Sequence, residues 1–434
     1  MGRLVLRGAR WPGDVAITGG RIAAVGSVPE EAGDEVVRVD GDIITAGLIN
    51  THHHFYQWMT RGWAFDCTLF GWLTTLYPVW ARIGPEDVEA AAAVAMGELA
   101  LTGCTTAADH HYVVPGGDDS VFDAIAAAAR TIGIRAHIAR GSMDLGESKG
   151  GLPPDSVVED LDAILASTQS VYERLHDGER IVVTVAPCSP FSVTPELMTE
   201  SAALARRHGL RLHTHLAETL DEERSCLERF GRRPLRVLDD IGWIASDVWV
   251  AHGIHFDDAE VLRLAETGTG IAHCPSSNCR LGSGIARVVD LTRAGAPVGL
   301  GVDGVASTEI GGLFPEMRMA LFLARQRDLS STTFLPADAL RLATEGGARC
   351  LGRDDVGRLE PGYRADVVVW PGDDLADVLD PLAGLVLGPE RYARHVLVEG
   401  EYVVRDGTLL GADIHELRRE LARRARRLWP QGAT

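Results

Sequence analysis

Between residues 47 and 303 the chain repeats one unit: a short apolar strand, a polar loop, then a helical stretch. The strands read GLINTHHH (47–54), TTAADHHY (105–112), RAHIARGSM (135–143) and IVVTVAP (181–187). They continue with RLHTHLA (211–217), VWVAHGI (248–254), GIAHCP (270–275) and PVGLGVD (297–303). Strands this apolar belong in a parallel sheet buried on both faces by helices. The intervening segments supply such helices; PEDVEAAAAVAMGELALTG (85–103) has Pro near its start and Gly at its end, as helices prefer. Eight is the number of strands that closes a (β/α)8 TIM-like barrel, so the fold class is α/β.

The flanks follow a different period. Residues 1–46, with AITGGRIAAVG, and residues 357–410, with HVLVEGEYVVRDG, alternate short strands with Gly turns. Two all-β pieces from opposite ends of the chain are expected to pair as one small β-sandwich beside a catalytic barrel spanning 47–356. The last segment, 411–434, carries the basic stretch IHELRRELARRARRLW and reads as a solvated surface helix.

A formal charge of −19 argues against a nucleic-acid partner, because a phosphate backbone rewards Lys and Arg. Seven cysteines, at 67, 104, 188, 226, 274, 279 and 350, form no C-x-x-C pair, so neither a disulfide framework nor a zinc ribbon is expected. The N-terminus lacks the apolar core of a signal peptide, and no apolar run is long enough to span a bilayer. The chain reads as cytoplasmic, with no membrane partner.

In such a barrel the reactive residues sit at the C-terminal ends of the strands. The first strand ends in His52, His53 and His54. Side chains alternate faces along a strand, so His52 and His54 point one way, about 7 Å apart at their Cα atoms, and His53 the other. Alone, the triplet also fits a chance cluster or a surface metal-grabbing tract. The fifth strand ends HTHLAE, with His215 at its tip, Glu218 just beyond it and His213 a layer deeper, in a supporting or core position. The sixth ends with His252, while His255 falls in the loop after it as a structural residue; the eighth ends with Asp303, a carboxylate costly to bury without a cation or proton beside it. Four strands offering His, Glu and Asp at one rim argue for a metal site.

The ordered set NTHHH, HTHLAE, AHG and GVDG resembles the amidohydrolase superfamily over nearly the whole chain, and the H-x-x-E of strand five resembles its branch of purine, pterin and triazine deaminases. That resemblance implies one divalent metal, Zn²⁺ first and Fe²⁺ as an ion the ligands also suit, on His52, His54, His215 and Asp303, with His252 beside it. Relatives with two metals bridge them by a carboxylated lysine on strand four; the lysine of this chain is Lys149, in the loop after strand three, so a single metal is expected. Three imidazoles and a carboxylate leave the ion an open position, where a water's pKa falls towards about 7. Asp303 would accept that water's proton, Glu218 would protonate a ring nitrogen, and His252 would hydrogen-bond the attacking hydroxide or the oxyanion.

For the substrate, HHHFYQ gives H-x-H-x-x-Q, similar to guanine deaminases in which the glutamine reads the purine edge; Gln57 offers a donor and an acceptor to a lactam. Guanine deaminases carry Pro-Arg-Phe after strand four, whereas APCSPFSV puts Cys188 in place of the Arg, which counts against plain guanine. The stretches THHHFYQ, GSMDLGESKGGLPPDSVVEDLDAIL, APCSPFSV and HCPSSNCRLGSG are similar to the 8-oxoguanine deaminases. They imply hydrolysis of 8-oxoguanine to urate and ammonia, within purine metabolism. Isoxanthopterin, guanine and hydroxylated or chlorinated triazines are the alternative substrates, and a non-catalytic scaffold the alternative of another class. Cys67 is a further candidate for the pocket, or a buried apolar cysteine. Ser277 and Asn278 reach either the pocket or a backbone cap. The aromatic loop with Trp58, Trp63 and Trp72 is expected to form a lid. A small heterocycle is the expected partner; a homo-oligomer is compatible with the sequence, which does not set the oligomeric state.

Overall fold

The computed structural model describes residues 2–429; Met1 and residues 430–434, the end of the 411–434 segment, lie outside the described residues. The N-terminal strands are β1 (Leu4–Arg7), β2 (Asp14–Thr18), β3 (Arg21–Gly26), β4 (Glu35–Arg38) and β5 (Ile43–Ala46). The barrel strands are β6 (Leu48–Asn50), β7 (Cys104–His111), β8 (Arg135–Ser142), β9 (Ile181–Pro187), β10 (Leu212–Leu216), β11 (Val248–His252), β12 (Gly270–His273) and β13 (Val298–Leu300). The C-terminal strands are β14 (Val367–Trp370), β15 (His395–Val398), β16 (Glu401–Arg405) and β17 (Thr408–Leu409).

Strands β6 to β13 form a closed parallel barrel, and β13 seals it by pairing with β6 through Leu300 and Asn50. All eight expected strands are present. The first is shorter than its sequence reads, because the ladder of β6 stops at Asn50 and the histidines continue beyond it in extended chain. Single bonds to both neighbours hold that extension: Asp303 N–H donates to the His52 carbonyl (3.0 Å) and His110 N–H to the His53 carbonyl (2.7 Å). The triplet is thus pinned at the rim between β7 and the end of β13.

The flanking strands divide unequally between two sheets. β1 to β4 form a sheet of their own, in the order β3-β2-β1-β4, and β5 alone crosses to the C-terminal sheet, β17-β16-β15-β14-β5. Alternate residues of the two sheets, among them Leu6, Val15, Ile17, Ile44, Val367, Val369 and Leu397, share one buried core. Gly103, at φ +87°, leads the chain out of the helix Pro85–Leu101 into β7, and a Cβ there would lie 2.1 Å from the Trp370 ring. The barrel therefore closes onto the sandwich through a residue only glycine can supply.

The helix Ile414–Arg426 is not merely solvated. Leu421 and Leu428 are buried, and Arg424 pairs with Asp87 (3.2 Å) and Glu86 (3.1 Å) on the helix 85–101. Among the described residues no helix is long and apolar enough to cross a membrane.

Candidate active site

The barrel rim collects the chemistry-bearing residues. The His52 and His54 rings lie 4.7 Å apart, edge to face, while the His53 ring turns away onto Phe55 at 4.8 Å. His215 comes from β10, and its ring lies 4.9 Å from that of His52 and 5.2 Å from that of His54. Asp303 Oδ1 lies 3.3 Å from His52 Nε2 and 3.2 Å from His54 Nε2.

The tautomers follow from partners that can only accept. His54 Nδ1 lies 2.6 Å from the His110 carbonyl and His215 Nδ1 2.7 Å from the Cys188 carbonyl, so both nitrogens carry protons. His213 Nδ1 donates likewise to the Trp249 carbonyl (2.9 Å), which leaves its Nε2 to accept from His52 Nδ1 (2.9 Å). His213 therefore supports His52 and has no free lone pair of its own for an ion. All three remaining Nε2 atoms present bare lone pairs to one point, and those of His54 and His215 face each other at 3.2 Å.

Charge makes the same demand. Burial pushes the His52 and His215 imidazoles well below their ordinary range, so they are neutral. Asp303 beside them accepts hydrogen bonds from a hydroxyl and a backbone N–H, which favour its anion. Three lone pairs and an anion meeting without a proton need a cation. This donor set fits a divalent metal, and His52, His54 and His215 already hold their ligand atoms within 4.8 Å of one another.

Neighbours fix the carboxylate. Ser277 Oγ donates to Asp303 Oδ2 (2.6 Å), and the Gly304 N–H donates to Oδ1 (2.8 Å). Asn278 Oδ1 lies 2.9 Å from His252 Nδ1. Ser277 and Asn278 thus reach the site as props for Asp303 and His252, outside the cavity wall. Glu218 lies behind, with Oε2 3.4 Å from His252 Nε2 and Oε1 buried without a partner. Burial, then the charges of Asp303 and Glu222, push its carboxyl well above the ordinary range.

Three of the turns that place these groups are left-handed at non-glycine residues: Ala217 (φ +54°), His252 (φ +72°) and Asp303 (φ +64°). Each costs on the order of 1–3 kcal/mol, and such strain gathers where function fixes the backbone. His255, with Nε2 2.9 Å from the Ser283 carbonyl, is structural.

Above the rim lies a narrow cavity of about 30 Å³. Its walls include Gln57, Trp72, Tyr112, Cys188, Phe191 and Leu281, with His54, His215, Glu218, His252 and Asp303 at the floor. Both polar atoms of the Gln57 amide are buried without a partner. Gly304 packs directly on that amide; a Cβ there would sit 1.7 Å from Gln57 Oε1. The expected lid is a helix, Leu69–Trp80, which lays Leu69, Trp72, Leu73 and Tyr77 over the cavity.

Trp58 and Trp63 stand outside the lining, and so does Cys67, which packs on Gly71 at the exposed start of that helix. A single loop cysteine gives no sign of which way it faces. Tyr112 and His110 were not singled out by sequence. Tyr112 lines the cavity, and His110 stacks on His215 at 4.7 Å. The signal was there, since D-H-H-Y closes a barrel strand as the triplet does.

The model of the Amidohydrolase family matches residues 43–403, most of the chain. The chain belongs to the amidohydrolase family. It is 49% identical over 415 residues, 93% of this chain and 92% of the other, to the 8-oxoguanine deaminase of Pseudomonas aeruginosa. It is 36% identical to an isoxanthopterin deaminase of an unknown prokaryotic organism, over 97% of this chain and 93% of that one. Among solved structures, the atrazine chlorohydrolase of Arthrobacter aurescens TC1 complexed with zinc superposes with a TM-score of 0.92 at 31% identity, covering 97% and 100% of the two chains. This amidohydrolase is accordingly a divalent-metal-dependent hydrolase of C–N bonds.

Proposed function

We propose that this amidohydrolase deaminates 8-oxoguanine, adding water across the C–NH₂ carbon and releasing urate and ammonia. The observation that carries the substrate is the 49% identity, over nine-tenths of both chains, to the 8-oxoguanine deaminase of Pseudomonas aeruginosa. A neutral cavity wall is consistent with it, because Cys188, whose thiol burial pushes up to about 12, stands where guanine deaminases carry an arginine.

His52, His54, His215 and Asp303 would hold one metal, with Zn²⁺ favoured by the zinc-bound neighbour. A bound divalent ion supplies a Lewis acid that makes water nucleophilic near neutral pH. Asp303, an anion at the floor, takes the proton that the attacking water releases. Glu218 protonates the ring nitrogen next to the attacked carbon from its carboxyl, whose Oε1 has no other partner. His252, held by Asn278 (2.9 Å) at the cavity floor beside Glu218 (3.4 Å), would hydrogen-bond the attacking oxygen. The Gln57 amide, donor and acceptor both free, pairs with the lactam edge of the ring. Trp72 and the lid helix keep bulk water from the ring.

The test is ammonia release from guanine, 8-oxoguanine, isoxanthopterin and a hydroxylated triazine. 8-Oxoguanine should lead in kcat/KM by about tenfold or more, a difference of about 1.4 kcal/mol in transition-state binding. A lead for isoxanthopterin would transfer the assignment to the second relative's substrate and overturn this one.

A further inference from the structure

The helix after β10, Leu220–Phe230, begins with the sequence Thr219-Leu220-Asp221-Glu222, a capping box by pattern. In such a box the fourth residue's carboxylate bonds the N–H of the first. Glu222 does something else. Its Oε1 accepts from the Ala217 N–H (2.9 Å) and its Oε2 from the Glu218 N–H (2.8 Å), two residues and one residue before the cap. Thr219 completes the cap alone, its Oγ1 accepting from Glu222 N–H at 3.2 Å.

Glu222 is completely buried, so these are two charge-assisted bonds away from solvent. Their target is the left-handed turn at Ala217 that swings the chain from β10 back over the barrel mouth. The carbonyl of Ala217 is fastened from the other side, by the Ile254 and His255 N–H groups, each at 3.0 Å. The peptide that carries Glu218 is thus clamped at both ends, and one clamp is a side chain to which the proposed chemistry gives no task.

We infer that Glu222 is a positioning residue for Glu218: its carboxylate holds the 217–218 peptides so that the Glu218 carboxyl faces the reacting ring. The inference rests on Glu218 as the proton carrier. It separates positioning from helix capping, because a carboxylate acting as a cap would bond Thr219 instead.

The experiment uses the metal-loaded enzyme and 8-oxoguanine, or whichever heterocycle of the panel releases ammonia fastest. Glu222→Gln has one acceptor for two N–H groups, and Glu222→Leu has none. Glu222→Gln should keep its metal and hold KM within about threefold while kcat falls about tenfold or more, with the larger loss in Glu222→Leu. Adding Glu222→Gln to Glu218→Gln should cost no further kcat, because a misplaced carboxyl and an absent one are the same defect. Unchanged kcat in Glu222→Gln beside a slow Glu218→Gln overturns the inference alone. So does an equal loss in both backgrounds, the mark of a helix cap acting on stability. Full kcat in Glu218→Gln overturns the reading of Glu218 and the inference with it.

Discussion

Consecutive histidines in extended chain serve one ion only through alternate members, since neighbours leave the backbone in opposite directions. That rule, with the strand ends, made the set His52, His54, His215, Glu218, His252 and Asp303 legible in the sequence. The His53 ring shows the other side of it, buried with neither nitrogen bonded and its imidazole pushed down to about 3 by burial. His52→Ala and His54→Ala should therefore strip the metal and abolish turnover. His53→Ala should keep one equivalent by elemental analysis and lose stability through packing. An empty site in the His53 variant beside full sites in the other two would reverse the assignment. What sequence could not give is the set of props. Ser277, Asn278 and Glu222 look like turn and cap residues, and only the packing of separate loops aims them at Asp303, His252 and the 217–218 peptides.

One short helix, Pro275–Arg280, carries both Ser277 and Asn278, and its start is tied down by Glu316 of the long helix Leu313–Asp328. Glu316 Oε2 accepts from the Ser276 N–H at 3.0 Å, while Oε1 is buried without a partner. Burial pushes this carboxyl up to about 8 from an ordinary value of 4.5. Between those two pH values the unfolded chain has released its proton and the folded chain has not. Stability is therefore fullest below the lower value and is lost as pH rises towards the upper one, by about 5 kcal/mol if the whole shift is felt. Glu316→Gln keeps an acceptor for Ser276 and removes the titration. Denaturant midpoints should nearly coincide for parent and variant at pH 5, and the variant should be the more stable at pH 8. A gap of equal size at both pH values would show that Glu316 acts by packing alone. Elements were otherwise easy to read where period and length agreed, as in all eight barrel strands. The lid was harder, because aromatic residues between two elements mark burial but do not say whether a loop or a helix delivers it.

At the scale of the molecule the sequence implied a sandwich from both termini but not what fastens it to the barrel. Arg135, at the start of β8 and fully buried, donates to Asp366 Oδ2 (2.6 Å) and Thr106 Oγ1 (3.0 Å) through one nitrogen and to Glu399 Oε1 (2.8 Å) through another. Asp366 in turn accepts the Glu399 N–H at 3.0 Å, and Arg180 and Arg364 add to the charge around Glu399. Arg135 stands 231 positions from Asp366 and 264 from Glu399 in the chain, so no local pattern could pair them. The network joins the sandwich to the N-terminal ends of the barrel strands, opposite the rim that holds the histidines. Removing one partner of a buried pair leaves the other charge unpaired and costs about 3–5 kcal/mol, whereas removing both costs far less. Arg135→Met should therefore lower the unfolding free energy by about that amount, with kcat and KM of the folded enzyme unchanged. Pairing it with Asp366→Asn should restore part of the loss, since the stranded carboxylate is then gone. Chemical denaturation of both variants, read beside ammonia release from the folded fraction, decides the matter. If Arg135→Met is as stable as its parent, or if it loses turnover while staying folded, the joint is not what holds the two units together independently of the active site.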